Sequence, residues 1–325
     1  MLLIITRTTD IGSDYVVHRL HDRDLRFVRL NTNEYPSRFD VSLRVGDGYS
    51  DFTIMHENGL IRSEDITGVI FRRPVVPHVT EGVTEQDAAF VEREHLELLR
   101  SLWRSIPQHL WLNHPNNLWL ARNKYEQLQR ASSMGLHIPE TLITSDPCTI
   151  QSFGREVGWP LVAKAVKHGF DFRSETARLA VTRKISELDL DDIETCARSP
   201  MIVQQFVNKA VDLRITVVGD NVFSAAIHSQ HAPETSTDWR AVYALEGLDL
   251  EYTRHDLPKD IEEACIELTR SYGLGFSAID MAQSRDGQYF FFEMNPNGEW
   301  VWIEQRLGYQ ICDTIIDRLL MKGRS

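Results

Sequence analysis

Two carboxylates and an amide near the end of the chain have the residue types and spacing of a metal site. Asp280 is the charged residue of the apolar segment 276–281, Glu293 follows thirteen residues later after three phenylalanines, and Asn295 comes next but one. A buried carboxylate is unfavourable unless a cation or donor accompanies it. Oxygen ligands of these kinds suit Mg²⁺, which completes its shell with phosphate oxygens and water. The alternative is that both carboxylates are salt-bridged sheet residues.

Positively charged side chains stand where an anion would have to bind. Lys164 lies inside an apolar segment, and a buried amine there predicts contact with a phosphate group. The pairs Asp212-Leu-Arg214 and Asp238-Trp-Arg240 each supply an arginine, whose rigid fork of donors suits phosphate and developing negative charge. The alternative for each pair is an ordinary surface salt bridge.

The last third of the chain predicts an antiparallel sheet that carries the carboxylates. Segments 276–282 and 288–294 flank the turn-rich tripeptide Arg285-Asp286-Gly287, so Asp280 and Glu293 are expected on one face of a hairpin. The other elements predicted here are a hairpin of 213–218 with 221–228, and helices at 262–272 and 304–321.

The middle of the chain predicts a small α+β unit. Apolar residues recur at helical spacing from 117 to 134 and Gly135 offers a stop, which predicts one connecting helix. His168-Gly169 is predicted to begin a loop that closes over phosphates. The remaining predicted elements are helices at 149–157 and 187–197 and strands at 161–166, 179–182 and 201–207.

The first third alternates short apolar runs with helical patterns, which predicts a parallel α/β unit with a hairpin inserted around 41–63. Its predicted strands are 2–6, 26–30, 68–72 and 110–113, with helices at 13–21 and 85–105. The fold class is therefore α/β and α+β. We place the domains at 1–115, 116–207 and 208–325.

Composition narrows the classes of function. With 47 acidic against 35 basic residues, the net charge of −12 disfavours nucleic acid and anionic membrane as partners. Four cysteines without a CxxC pair argue against a zinc cage and a disulfide framework, and a reducing cytoplasm is the expected location. No run approaches the ~20 apolar residues of a membrane span, and the apolar start of the chain is predicted to be a strand and not a signal peptide.

Two other patterns are rejected as sites. The segment Gly273-Leu-Gly275-Phe-Ser-Ala278 matches a dinucleotide-binding pattern, but it follows a helix and enters a strand, the reverse of the required order. A nicotinamide dehydrogenase depends on that pattern. His228 and His231 lack a third metal ligand nearby and are expected to be solvated polar residues.

The metal pattern, AIDM followed by DGQYFFFEMNPNG and a later IE, resembles the metal-binding end of ATP-grasp ligases. In that superfamily an Asp, a Glu and an Asn hold the metal ions that bridge the ATP phosphates. The resemblance implies an ATP-grasp fold with ATP and Mg²⁺ as cofactors, and it assigns the metal to Asp280, Glu293 and Asn295.

The resemblance also implies a nucleotide site. Lys124 matches a second phosphate-contacting lysine of the family, and segment 201–207 resembles the hinge strand that contacts adenine. The alternatives are a solvated surface lysine and an ordinary buried strand. The residues assigned to the nucleotide are Lys124, Lys164, Gln204, Gln205, Phe206, Val207 and Asp212.

Within the superfamily the chain looks most like the microviridin-type peptide synthetases, also called graspetide synthetases. Three segments carry this resemblance: Phe71-Arg72-Arg73-Pro74, Asp238-Trp239-Arg240 with Leu257-Pro258 downstream, and 295–304 with its two tryptophans. The family joins Asp or Glu side chains of a ribosomally made precursor peptide to Ser/Thr hydroxyls or Lys amines. For Arg72 and Arg73, contact with an acidic peptide and a place at a domain interface both stay open.

The resemblance implies a mechanism and partners. The metal would orient the γ-phosphate for attack by a peptide carboxylate, giving an acyl phosphate that a hydroxyl or amine then displaces. Arg214 and Arg240 would be the catalytic residues that stabilise the charged intermediate. A precursor with a leader helix and an acidic core is the expected partner, and the synthetase is expected to be a homodimer.

Two other functions remain open on the sequence. One is a different ATP-grasp carboxylate–amine ligase that acts on a protein tail, an amino acid or a dipeptide. The other is a nucleotide-binding regulatory module without turnover, against which the complete set of candidate metal and phosphate ligands argues.

Overall fold

The computed structural model describes residues 1–78, 82–167, 170–171, 178–179, 182–189, 199–244 and 249–322. Among these residues, no helix is both long and apolar enough to cross a membrane.

The first part of the chain is built on a parallel sheet. Its order is β2-β1-β6, and β1 is buried along its whole length because the sheet is covered on both faces. The insertion is a three-stranded antiparallel sheet of β3, β4 and β5, one strand more than the predicted hairpin. The elements are β1 (Leu2–Thr6), α1 (Ile11–Asp22), β2 (Phe27–Asn31), β3 (Phe39–Gly46), β4 (Tyr49–His56), β5 (Gly59–Arg62), β6 (Gly68–Phe71) and α2 (Glu85–Ser105).

The connection to the next unit is two helices, so the prediction of one helix over 117–134 is wrong. Helix α3 (Pro115–Leu120) ends, and α4 (Lys124–Ser133) begins after a short turn. The side chain of Asn123 accepts a hydrogen bond from the backbone N–H of Glu126, which caps a new helix start. The periodicity of apolar residues continues across this turn, so the sequence pattern does not reveal the break between the two helices.

The strand predicted at 110–113 is replaced by two isolated bridges, from Trp111 to Val69 and from Asn113 to Leu274. Asn113 there ties the first unit to the last. Its Nδ2 donates to the backbone oxygens of Phe276 at 2.9 Å and Pro296 at 2.8 Å, and its Oδ1 accepts from the N–H of Gly275 at 2.8 Å. All polar atoms of a buried amide are thus used, as burial requires.

The central unit is a four-stranded antiparallel sheet of order β11-β8-β12-β7. It packs on α5 through a small core of its own that includes Ile150 and Leu161. Residues 187–189 of the predicted helix 187–197 form a single 3₁₀ turn; its later residues, and His168-Gly169 of the predicted loop, lie outside the described residues. The elements are β7 (Thr141–Thr144), α5 (Pro147–Val157), β8 (Leu161–Ala165), β9 (Phe170–Asp171), β10 (Arg178–Leu179), β11 (Arg183–Ile185) and β12 (Met201–Gln205).

The last unit is a five-stranded antiparallel sheet of order β15-β14-β13-β16-β17. Both predicted hairpins are present. The helix predicted at 304–321 is two helices, because Gly308 adopts a left-handed conformation (φ 66°) that ends the first. The elements are β13 (Lys209–Val218), β14 (Asn221–Ile227), β15 (Tyr252–Arg254), α6 (Lys259–Ser271), β16 (Phe276–Ser284), β17 (Tyr289–Asn295), α7 (Val301–Leu307) and α8 (Ile311–Lys322).

Candidate functional site

A β-bulge brings the two predicted carboxylates opposite each other. Strands β16 and β17 pair Met281 with Phe291, but the next pair is Asp280 with Glu293, so Phe292 is an extra residue on β17. Residues directly opposite in an antiparallel pair point to the same face. Asp280 and Glu293 therefore share the sheet face that is turned away from the core residues Met281 and Phe291.

Arg214 is the third member of this row. It lies opposite Asp280 on β13, and its Nη1 donates to Asp280 Oδ1 at 2.9 Å. Burial raises the pKa of Asp280, and the neighbouring Glu293 adds to this against the lowering effect of Arg214. An additional cation would stabilise the ionised form of a carboxyl group whose pKa is raised in this way.

Glu293 is surrounded by positive charge. Lys124 Nζ lies 2.8 Å from Glu293 Oε2, and Arg240 Nη1 lies 4.0 Å from Oε1. Burial alone would raise the pKa of Glu293, but the charges of Lys124 and Lys164 lower it below its usual range. The pKa of Glu293 is thus lowered by the surrounding cations, whereas the pKa of Asp280 is raised by burial.

Lys164 is a half-buried lysine without an ion pair in the described part of the chain. It lies on β8 opposite Ile202, and its Nζ forms no hydrogen bond or ion pair of 4 Å or less within the part of the chain that the structure describes. Its nearest described aromatic partner is the ring of Phe292, 5.9 Å from Nζ. Burial lowers the pKa of Lys164 to about 8, against the opposing effect of Glu293. Such an amine would gain from a phosphate oxygen.

Arg240 is held in place by Asp238. Its Nε and Nη2 donate to the two carboxylate oxygens of Asp238 at 2.8 and 2.7 Å, a bidentate pair. Burial would raise the pKa of Asp238, but the hydrogen bonds and charge of Arg240 lower it to about 2. Asp238 Oδ2 also accepts from the N–H of Thr182 at 3.1 Å, which links this loop to the central unit.

Asp212 belongs to a buried ion pair that the sequence did not single out. Lys209 Nζ lies 2.8 and 2.9 Å from the two oxygens of Asp212 and donates to the backbone oxygen of Thr237 at 3.1 Å. Burial raises the pKa of Asp212 despite the opposing charge of Lys209. The argument made for Lys164, a lysine inside an apolar segment, would also have selected Lys209.

A cleft with an empty volume of about 890 Å³ lies between the central sheet and the last sheet. Strand β12, predicted to be the hinge strand, ends at Gln205, two residues earlier than predicted, and the residues after it continue along the wall. The predicted residues that line the cleft are Lys124, Lys164, Gln204, Gln205, Phe206, Val207, Asp212, Arg240, Asp280 and Glu293. Further lining residues include Lys209, Thr237, Trp239, Met281 and Phe292.

Arg214 and Asn295 are not among the residues that line the cleft. Arg214 reaches it through Asp280. Asn295 is exposed, and its Oδ1 accepts a hydrogen bond from the N–H of Asn297 at 3.0 Å. Asn295 lies on β17 next but one to Glu293 and therefore on the same face of the sheet.

The donor set fits a divalent ion and a polyphosphate. The described residues contain no cluster of three His, Cys, Asp or Glu side chains that would form a complete protein cage. Two carboxylates with an adjacent amide suit Mg²⁺, which binds through few protein ligands and takes the rest from phosphate and water. The cations Lys124, Lys164 and Arg240 face the same space, so they match the charge that a nucleotide brings.

Two family models cover the chain. Residues 1–118 match the model described as the MvdD pre-ATP grasp domain. Residues 121–319 match the model described as the RimK-like ATP-grasp domain.

Solved structures resemble the chain over nearly its whole length. A RiPP-associated ATP-grasp ligase of Chryseobacterium gregarium, in complex with ADP and a leader and core peptide, is 28% identical, with a TM-score of 0.88 over 99% of this chain and 96% of its own. The macrocyclase MdnC of Microcystis aeruginosa MRC, bound with the precursor peptide MdnA, is 28% identical, with a TM-score of 0.82 over 98% of this chain and 99% of its own.

A curated relative is more distant. The probable alpha-L-glutamate ligase of Haemophilus influenzae is 23% identical over 199 residues, which are 61% of this chain. The match spans 62% of the length of that relative.

Proposed function

Because the chain belongs to the RimK-like ATP-grasp family and has an ATP-grasp fold, we propose that it is an ATP-dependent ligase that activates peptide carboxylates. In this proposal Asp or Glu side chains of a precursor peptide are joined to Ser/Thr hydroxyls or Lys amines, which closes ester or amide rings. One observation carries it: Asp280 and Glu293 lie opposite each other, and Lys124, Arg214 and Arg240 surround them.

The metal role falls to the carboxylate pair. Asp280 and Glu293 would hold Mg²⁺, with the amide oxygen of Asn295 as a further ligand once it leaves the N–H of Asn297. Bound there, Mg²⁺ would neutralise phosphate charge. Two carboxylates directly opposite each other repel. Burial is the main cause of the raised pKa of Asp280 and the charge of Glu293 adds to it, so a divalent cation would stabilise the pair.

The nucleotide would lie along the cleft. Lys124 and Lys164 would contact its phosphates, since both amines face the space beside Glu293. The residues after β12 offer backbone groups and apolar side chains for a flat base, as the family resemblance implies. The proposed base-binding wall consists of Gln204, Gln205, Phe206 and Val207. Asp212, on β13, is a polar residue of the same cleft.

The reaction would proceed in two transfers. A substrate carboxylate oxygen attacks the γ-phosphorus of ATP, the bond to the β-phosphate oxygen breaks, and an acyl phosphate and ADP form. A hydroxyl or amine then attacks the acyl carbon, loses its proton, and phosphate leaves. The sum is ATP, one carboxylate and one nucleophile converted into ADP, phosphate and one ester or amide bond.

The arginines would act where negative charge develops. Arg240 is kept in orientation by its bidentate bonds to Asp238, so it loses little freedom when it binds an anion. Arg214 would act from beneath Asp280. The central sheet covers the cleft from the other side and would keep water from the acyl phosphate.

The proposal extends to the substrate. The Chryseobacterium gregarium ligase and MdnC were solved with peptides, a leader and core peptide in one and the precursor MdnA in the other. We propose a precursor with a leader and an acidic core for this chain, bound by a homodimer in the cytoplasm. The domain limits at 115 and 207 remain part of the same proposal.

The test is a mass measurement. The protein is incubated with ATP, Mg²⁺ and an acidic peptide that contains Ser, Thr or Lys and is encoded beside its gene. The expected product has lost one water for each bond formed, with one ADP released per bond. Release of ADP without loss of water from any such peptide would contradict the proposal.

A second candidate is the addition of an amino acid to a carboxylate, which the likeness to a probable alpha-L-glutamate ligase favours. The same assay with free glutamate separates the two, because addition increases the mass of the acceptor by one residue whereas ring closure decreases it. If neither ADP nor a mass change appears, the chain is instead a nucleotide-binding module without turnover.

A further inference from the structure

Three arginines hold the loop that follows β17 from two sides: Arg214 on the last sheet, and Arg72 and Arg73 on the first unit, where Arg73 Nη2 lies 2.8 Å from Glu299 Oε1. From the last sheet, Arg214 Nη2 donates to the backbone oxygen of Glu299 at 3.2 Å. From the first unit, Arg72 Nη1 donates to the backbone oxygen of Gly298 at 3.4 Å. The two residues of this loop, Gly298 and Glu299, therefore connect the N-terminal unit to the arginine that faces the carboxylate pair.

Arg72 is itself firmly placed. Only 5% of its surface is exposed, its Nε donates to Asp10 Oδ2 at 3.2 Å, and its Nη2 donates to Glu299 Oε1 at 3.0 Å. Asp10 is also the N-cap of α1, because its side chain accepts from the N–H of Ser13. The start of α1 thus fixes Arg72, and Arg72 fixes the loop.

Two glycines make room for two of these arginines. A Cβ added to Gly12 on α1 would lie 2.6 Å from Arg72 Nη2, and one added to Gly298 would lie 2.5 Å from Arg214 Nη2. Neither glycine has a positive φ, so what each position needs is space and not an unusual backbone conformation. Because neither residue has a side chain, each allows a guanidinium group to lie close enough to bind the loop.

Arg214 depends on this loop. Its guanidinium is held by Asp280 Oδ1 at 2.9 Å and by the backbone oxygen of Glu299, while its Nε is buried without a hydrogen-bond partner in the described residues. If the loop shifts, one of these two anchors is lost. The position of Asp280, and with it the metal-binding face, would then change.

We propose that Arg72 is a positioning residue for the reaction, acting from the N-terminal unit through the loop 298–299 on Arg214 and Asp280. The inference rests on the proposed function, because the readout is turnover. Arg72 does not line the cleft, whereas Lys124 and Lys164, the residues proposed to contact the nucleotide phosphates, do. Loss of Arg72 therefore lowers kcat and leaves the affinity for ATP unchanged.

The experiment uses Gly12→Ala and Arg72→Lys. Gly12→Ala places a methyl group against Arg72 without touching the cleft, and alanine is the better helix former. Arg72→Lys keeps the charge beside Asp10 but cannot reach the Gly298 oxygen at the same time. Ile11→Ala, at a neighbouring position of α1 whose side chain is 73% exposed, is the matched control.

Both variants are expected to lower kcat for ADP release roughly tenfold to a hundredfold, the usual effect of a small misplacement. KM for ATP is expected to stay at the wild-type value, and Ile11→Ala is expected to behave as wild type. Tm is expected to fall, because both changes disturb the buried pair of Arg72 with Asp10, but to stay above the assay temperature. Combining Arg72→Lys with Gly298→Ala is expected to cost no more than the worse single change, since both act on one loop.

Three results would overturn the inference: wild-type kcat in Arg72→Lys, a rise in KM for ATP that accounts for the loss, or circular dichroism that shows Arg72→Lys unfolded at the assay temperature to an extent that accounts for the loss. If Gly12→Ala does not fold, Arg72→Lys still decides the question. A wild-type protein that releases no ADP with any peptide withdraws the proposed function as well, whereas active wild type with unaffected variants withdraws the positioning role alone.

Discussion

The ammonium of Lys124 lies 2.8 Å from a carboxylate oxygen of Glu293, although the two residues are far apart in the chain. Lys124 is the first residue of α4, where the capped break after α3 turns its side chain towards the last sheet. This ammonium places a positive charge against the carboxylate of Glu293. In the proposed function Mg²⁺ would compete with Lys124 for this carboxylate, and a nucleotide phosphate would then contact the lysine.

The first prediction concerns the carboxylates. Asp280→Asn and Glu293→Gln remove the charge that would hold Mg²⁺ and are expected to lower ADP formation at least about 100-fold. The measurement is coupled ADP release at saturating ATP and Mg²⁺, with circular dichroism as the check on folding. Asp286→Asn, in the exposed turn of the same hairpin, is the control. Full activity in both site variants would rule out the metal assignment.

The second prediction is a pH dependence of nucleotide affinity. Burial lowers the pKa of Lys164 to about 8, and only the protonated amine attracts phosphate. Affinity is thus expected to hold below that pKa and to fall as the pH rises through it, by up to about tenfold per pH unit. Calorimetric titration with ADP at several pH values measures it. Lys164→Arg stays charged and is expected to remove the dependence; an unchanged profile in that variant would exclude Lys164 as its source.

The third prediction concerns the pair that orients Arg240. Asp238→Asn removes the bidentate partner and is expected to lower kcat about tenfold or more. Because the pKa of Asp238 is lowered to about 2, the effect is expected at every assay pH. Asp249→Asn breaks an exposed pair with Arg306 of similar geometry and serves as the comparison. Equal losses in the two variants would show that orientation of Arg240 has no special role.

The fourth prediction concerns the central unit. Ile150 is fully buried in its small core, so Ile150→Ala is expected to lower the free energy of unfolding by about 2–5 kcal/mol. Leu188→Ala, at a site that is 90% exposed, is expected to change it by less than about 0.5 kcal/mol. Urea unfolding followed by fluorescence tests both. A similar effect at the two positions would contradict the packing described for Ile150.

The elements of the fold that alternate clearly in hydrophobicity could be predicted from the sequence. Helix α2 has the predicted limits of 85–105, and both hairpins of the last sheet form where turn residues separate apolar runs. Helix breaks were missed. The turn before Asn123 and the one at Gly308 interrupt periodic patterns, and a single capping side chain or left-handed glycine decides each of them.

Most of the predicted site residues line one cleft. Residue type and spacing could identify them because a charge inside an apolar strand needs a partner wherever the strand lies. Whether those residues bind metal and nucleotide stays a prediction. Contacts between distant segments could not be foreseen. The burial of Lys209 against Asp212 and the grip of Arg72 on the loop 298–299 depend on how the units pack, which local patterns do not encode.

The extra residue in β17 sets the direction of everything after it. In the uninterrupted register of this hairpin, Phe292 would face Asp280, and Glu293 would point into the core beside Ile279 and Met281. A pairing of β16 with β17 that kept Phe292 but lost the bulge would therefore bury the carboxylate of Glu293 in the core and turn the ring of Phe292 towards the cleft, whereas deletion of Phe292 would leave Glu293 opposite Asp280. The arrangement of charges in the cleft therefore depends on the bulge at Phe292. A variant that kept every charged residue would still lose this arrangement if the register of β17 shifted by one residue.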